Sequence, residues 1–324
     1  MMRNTAPQSR ARHWAQINEV SFVAGMRLLF AVYRLFGRLP FRLMLYPVLC
    51  WYIAANGRAR NASRAYLAQV AAYRPALGLS AGLSDVFRHF AAFGESLLDK
   101  MLLWGGLFPL QRVLVFGQEP IAQAVATGRG GLMICTHLGN LELCRVMARE
   151  FPAMKLTVMV HTKHAQAFNR MLAQLDAHSQ LNLLQVTEMS PATAMVLADK
   201  VAQGEFVVIA GDRIPVAPNP RVAHASFMGK QAPFPVGPYV LASLLQCPVH
   251  LMFSRRTANG AQLHFESFRE RVDLPRKQRQ QALDNLAADY AARLESHCLQ
   301  TPFQWFNFYD FWATPSMDNR HATH

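Results

Sequence analysis

With 324 residues, 52% of them hydrophobic and 16% charged, the chain can bury a sizeable core and is neither disordered nor collagen-like. Five scattered cysteines (Cys50, Cys135, Cys144, Cys247, Cys298) show no C-x-x-C and no Cys/His zinc spacing, so neither a disulfide framework nor a structural metal is indicated and a reducing cytoplasmic setting is the simpler expectation. The net charge of +13 is unevenly placed: residues 1–64 hold ten arginines, no lysine and one acid, Glu19, which puts +9 of it there. A basic patch of this kind suits anionic lipid headgroups, an acidic carrier protein or nucleic acid.

Taken in order, residues 1–18 read as a flexible basic segment without the apolar core and cleavage site of a secretory signal. Residues 19–105 read as a helical region. Val20–Leu35 is apolar at helical spacing and punctuated by Arg27 and Arg34, and Phe41–Ala55 repeats the theme with Trp51 and Tyr52. Neither run reaches the ~20 apolar residues of a bilayer span. Arginines flanking such segments instead predict helices lying in a membrane interface or dipping into it. Two buried helices of a soluble domain, or a single tilted span, are the alternatives. Asn61–Tyr73 and Leu83–Trp104 are predicted as further helices, the second ended by Gly105-Gly106.

From residue 106 onward short apolar runs alternate with helical stretches. The expected strands are Val113–Phe116, Leu132–Cys135, Leu156–Val160, Leu183–Val186, Phe206–Ala210 and Val249–Phe253. The expected helices are Asn140–Phe151, Ala165–Ala177, Ala192–Gln203, Val236–Leu245 and, late in the chain, Pro275–Leu299. Alternation of this kind predicts an α/β domain over 106–324 with a mostly parallel sheet, helices on both faces and ligands at the carboxyl ends of its strands. Gly211–Pro235 reads as a long proline-rich connection. Thr301–Trp312, with seven aromatics in twelve residues, reads as a packing cap on the sheet edge in preference to an interfacial belt.

The candidate chemistry gathers in Gly131-Leu-Met-Ile-Cys-Thr-His137-Leu-Gly-Asn-Leu-Glu142. His137 follows an expected strand directly, and Asn140 is placed to cap a helix whose first turn holds Glu142. Across that break an imidazole and a carboxylate five residues apart can meet, and Gly139 permits close backbone approach. By itself the spacing is weak, since chance produces such pairs.

His137-Leu-Gly-Asn-Leu-Glu142 resembles the H-x-x-x-x-D/E motif of the glycerolipid acyltransferase superfamily, and especially its bacterial lipid A late acyltransferases. Further likenesses keep the family's order. Ile209-Ala-Gly-Asp212 resembles its later strand, while Phe227-Met-Gly229, Pro235-Val-Gly-Pro238 and Leu241-Ala242 resemble its loop and following helix. The aromatic close is similar to its tryptophan-rich end. The resemblance spans roughly residues 20 to 312 and is most specific at the first motif. It implies O-acyl transfer from acyl carrier protein, or coenzyme A, to a lipid or glycolipid hydroxyl at the cytoplasmic face of a bacterial inner membrane.

In that reading neutral His137 is the general base and Glu142 its orienting carboxylate, with no cofactor and no metal. Backbone N–H groups near Leu138-Gly139-Asn140 would serve the oxyanion. Asp212 and Arg213 would orient an acceptor or carrier phosphate, and Asn140, Phe227 and Gly229 belong to the expected substrate site. Lys163, in Val160-His-Thr-Lys-His164, stands where the lipid A enzymes usually carry an arginine, a point charge in place of a bidentate fork. The competing readings are a non-catalytic basic membrane- or nucleic-acid-binding protein and a serine hydrolase. Against nucleic acid, the arginines alternate with large apolar residues. Against the hydrolase, there is no G-x-S-x-G.

Overall fold

The computed structural model describes residues 28–144, 151, 154–160, 181–185, 191–215 and 220–313. The expected helix Ala165–Ala177, half of Asn140–Phe151, the segment before residue 28, and Lys163 with its neighbours lie outside them. Residues 28–36 are helical and are followed by α1 (Leu39–Ala55), α2 (Gly57–Tyr73) and α3 (Leu83–Trp104). Helix α2 starts four residues earlier than its apolar pattern suggests because Asn56 caps it, Oδ1 accepting the Ala59 N–H at 3.1 Å. Among the described residues, no helix is long and apolar enough to cross a membrane.

The central sheet is built from β1 (Val113–Phe116), β2 (Gly131–Cys135), β3 (Leu156–Val160), β4 (Leu181–Gln185), β5 (Phe206–Ala210), β8 (Val249–Arg256) and β9 (Ala261–Arg269). Its strand order is β1-β9-β8-β2-β5-β3-β4, with every pairing parallel except β8 to β9. The expected mostly parallel sheet is therefore present. Successive residues of β2 feed opposite cores: Leu132 and Ile134 pack with α2, α6 (Gly237–Leu245) and α7 (Arg279–Gln300), while Met133 and Cys135 pack with α3 and α4 (Glu119–Ala126). Both faces are thus covered, which is why the whole of β2 is buried and reads as an unbroken apolar run. Helix α5 (Pro191–Ala202) precedes β5.

Two expectations are corrected. The connection after Gly211 is not a long loop: it contains a two-stranded antiparallel ribbon, β6 (Val222–Phe227) and β7 (Lys230–Pro235). Met228 and Gly229 form its turn with φ of 51° and 77°, the double positive φ of a two-residue hairpin loop. Pro233 and Pro235 are tolerated because, among the described residues, the ribbon has no third strand that would need their missing N–H as a donor. Strand β9, absent from the expected set, alternates buried and half-exposed residues and so lacks an apolar run.

Candidate functional site

Strand register creates the site. Cys135 at the end of β2 pairs with Ala210 at the end of β5, and Gly211 N–H donates to Cys135 O at 2.9 Å. Two residues beyond each strand end stand His137 and Asp212. They meet at the carboxyl edge of two adjacent parallel strands, where open α/β sheets gather ligands.

Asp212 Oδ1 lies 2.7 Å from His137 Nδ1, and Asp212 Oδ2 accepts the His137 backbone N–H at 2.7 Å and the Trp305 indole N–H at 2.9 Å. The carboxylate side chain is 1% exposed and the imidazole 28%. Burial pushes the Asp212 carboxyl up, but the His137 charge and the hydrogen bonds from His137 and Trp305 outweigh it and leave it below the ordinary carboxylate range. An ionised carboxylate accepts only, so Nδ1 carries the proton of neutral His137 and Nε2 is left as its acceptor nitrogen.

Trp305 sets the far wall. It is fully buried, with ring centroids 4.9 to 5.2 Å from those of Phe311, Tyr66 and Phe227. Its segment closes on the loop after β2 through a Leu138–Trp305 bridge, a Gly139 N–H bond to Gln304 O at 2.8 Å and a Phe306 N–H bond to His137 O at 3.0 Å. Behind it, His89 Nε2 reaches Trp305 O at 2.9 Å while His89 Nδ1 meets Ser63 Oγ at 2.9 Å. Nε2 therefore bears the proton and Nδ1 accepts. Burial takes the His89 pKa down to about 4, against the opposing pull of the Trp305 carbonyl.

Glu142 is not the partner of His137 Nδ1. Its Oε1 lies 3.3 Å from Lys100 Nζ on α3, and the turn that carries it, Leu141–Cys144, is a 3₁₀ turn that Asn140 opens by accepting Glu142 N–H at 3.1 Å. The physical reason is the strand register, which brings Asp212 to the imidazole first. Asp212, buried and already accepting from three donors, faces His137 and Trp305. Two of the backbone donors expected for an oxyanion are engaged: Leu138 N–H bonds Thr136 Oγ1 at 3.0 Å and Gly139 N–H bonds Gln304 O. Buried Asn140 Nδ2 has no partner among the described residues.

Gly139 is required where it stands. Its φ is +65°, and an added Cβ would lie 2.3 Å from Ser254 O. Arg213 is exposed at the rim and donates to Phe306 O at 3.1 Å. Phe227 is fully buried among aromatic rings, which leaves its side chain no access to a ligand, and Gly229 serves the β6–β7 turn. Neither joins the His137 site. What sequence reasoning missed is Trp305 as a donor to Asp212, although an aromatic-rich close was the available signal. Among the described residues, no group of three or more His, Cys, Asp or Glu side chains could hold a metal ion.

Fold and site together define a three-layer α/β protein with an imidazole–carboxylate pair at the carboxyl edge of its sheet. Residues 110–314 match the family model for bacterial lipid A biosynthesis acyltransferases, and the chain belongs to that family. It is thereby an acyltransferase of lipid biosynthesis. No curated relative matches the chain.

Proposed function

We propose that the protein moves a fatty acyl chain from an acyl carrier protein or coenzyme A thioester to a lipid or glycolipid hydroxyl, with His137 as general base. The observation that carries this reading is the His137–Asp212 pair: a half-buried imidazole whose Nδ1 is fixed on a buried carboxylate and whose Nε2 is left to accept. A hydroxyl is too weakly acidic to attack a thioester unaided. Nε2 takes its proton as the oxygen attacks the carbonyl carbon, and Asp212 stabilises the imidazolium that forms. The tetrahedral oxyanion then collapses, the C–S bond breaks, and the leaving thiolate takes the proton back from Nε2. Asn140 Nδ2, which has no partner among the described residues, is the donor we assign to the oxyanion, since the Leu138 and Gly139 N–H groups are engaged.

Glu142, which its spacing from His137 first suggests as the orienting carboxylate, receives a lesser part: it balances Lys100 and anchors the turn after the base. Arg213, exposed at the rim, is suited to an anionic group on acceptor or carrier, and Lys163 keeps the same proposed task. The helical region before residue 106 supports an anionic membrane surface as partner. Leu39, Leu43, Met44 and Trp51 on α1 are 65% to 72% exposed, a patch that water alone does not favour. The thioester donors place the reaction on the cytoplasmic face of the bacterial inner membrane.

Purified protein supplied with an acyl thioester and a lipid acceptor tests the reading. His137→Ala should lose on the order of 10²–10⁴ in kcat, the usual contribution of a positioned base. Undiminished turnover by that variant would overturn the mechanism.

A further inference from the structure

Five charged side chains from three elements meet beside the His137 loop. Arg38 and Arg42 come from the start of α1, Glu95 and Asp99 lie one turn apart on α3, and Arg256 ends β8. Arg256 Nη2 donates to Glu95 Oε2 at 3.0 Å and its Nε to Asp99 Oδ2 at 2.9 Å. Arg38 Nη1 reaches the same Glu95 oxygen at 3.1 Å and its Nη2 bonds Asp99, while Arg42 bonds the other Glu95 oxygen. Both carboxylates are buried, with side chains 6% and 4% exposed, so each depends on these partners. Close packing supports the charges: an added Cβ on Gly94 of α3 would stand 2.7 Å from Leu45 of α1.

From this cluster two short routes end on Gly139. The Arg256 backbone exchanges two hydrogen bonds with the Gln304 side chain, N–H to Oε1 at 2.7 Å and Nε2 to the carbonyl O at 2.8 Å, and Gln304 O accepts the Gly139 N–H. Ser96, next to Glu95, donates from Oγ to Gly139 O at 3.1 Å. Gly139 is therefore gripped on both sides of its backbone by neighbours of the cluster. A cavity of about 40 Å³ lies between, lined in part by Ser96, Asp99, Asn140, Arg256 and Gln304.

We infer that Arg256 is a positioning residue for the His137 loop, and that Arg38 and Arg42 make α1 part of the same brace. The inference rests on His137 being the base. A bidentate fork is needed, because one guanidinium must bond Glu95 and Asp99 together, which an ammonium cannot match. The fork ties the end of β8 to α3, and the backbone there holds Gln304. Loosening it lets that backbone shift, and with it Gln304, Gly139 and the orientation of the imidazole two residues away. The outward-facing α1 thus shares a rigid frame with the chemistry instead of hanging from it.

The test compares Arg256→Gln, Arg256→Lys and Arg42→Gln in the full chain, with Arg293→Gln as an ion-pair deletion outside the cluster. Two readouts are taken, the kcat-against-KM split and the His137 Nδ1 proton resonance of protein labelled with ¹⁵N at histidine. Arg256→Gln should lower kcat by about 10²-fold, as an ångström-scale misplacement does, with KM unchanged and the Nδ1 proton broadened by exchange. Arg256→Lys should recover part of both, and Arg293→Gln should change neither. If Arg256→Gln loses its near-ultraviolet circular dichroism, Arg42→Gln, which removes a single bond at a half-exposed side chain, decides by the same readouts. A folded variant with wild-type kcat and a sharp Nδ1 signal would overturn the inference. Should the wild-type protein transfer no acyl group, the acyltransfer mechanism fails, while the resonance comparison still decides whether the brace holds the imidazole.

Discussion

Strand β2 and helix α1 are both apolar along most of their length, and they dispose of that surface in opposite ways. Every residue of β2 is buried, whereas α1 buries only Leu49 and Ile53 and leaves Leu39, Leu43, Met44, Val48 and Trp51 between 56% and 72% exposed. The polar side chains are reversed too. A surface helix ordinarily turns its charges to water, yet Arg38 and Arg42 turn toward buried Glu95 and Asp99. Arg60 donates to Ile53 O and Ala54 O at the carboxyl end of α1, and Arg64 to Ala81 O. These arginines therefore serve the fold before they serve any lipid. The contrast separates apolar residues that make the protein from apolar residues that await something outside it.

The sharpest way to break the β2 side is Asp212→Asn. Three donors would then face an amide that brings a donor of its own, and the neutral tautomer of His137 would lose its seat. A fall in kcat of about 10⁴-fold is expected, the size seen when an orienting aspartate is converted to asparagine, and steady-state kinetics checks it.

Acid should weaken the same region next. His89 binds a proton near its ordinary 6.5 when unfolded and at about 4 when folded, so the unfolded chain holds more protons between those values. Stability is intact above about pH 6.5 and declines as pH falls toward about 4, by roughly 3 kcal/mol from this group. Denaturant titrations across that window should show the loss, and His89→Gln should flatten it. Below the window the lowered Asp212 carboxyl adds its own loss as pH falls through its folded pKa.

On the α1 side, Leu43→Glu combined with Trp51→Glu should leave the unfolding free energy within about 0.5 kcal/mol, because neither side chain is buried in the fold. Co-sedimentation with anionic vesicles should collapse. Loss of stability with retained vesicle binding would reverse the proposed roles of the two regions. The smallest effect is expected from Glu142→Gln, less than about tenfold in kcat, since it weakens a partly exposed pair with Lys100. A loss as large as that of Asp212→Asn would restore Glu142 as the orienting carboxylate.

How legible the molecule was in its sequence follows the same division. Strands β2, β3 and β5 were visible because burial on both faces demands unbroken apolar runs. Strands β6, β7 and β9 were not, since prolines masked the ribbon and half-polar alternation masked β9. His137 could be found from its place after a strand. Its partner could not, because Asp212 lies 75 residues away and only the Cys135–Ala210 register brings it near, whereas Glu142 advertised itself by proximity in the chain. Asp212 was recognised as standing on the ligand side but assigned to the substrate, there being no sequence signal that Trp305 and His137 would both donate to it.

The Leu138–Trp305 bridge bears on the order in which the protein is made. Among the described elements, the aromatic close is the last to leave the ribosome, after all strands of the sheet. A nascent chain short of Trp305 has both His137 and Asp212 but lacks the indole N–H and the bridge that seat them. Translation thus withholds the seated His137–Asp212 pair until every described strand of the sheet has been made.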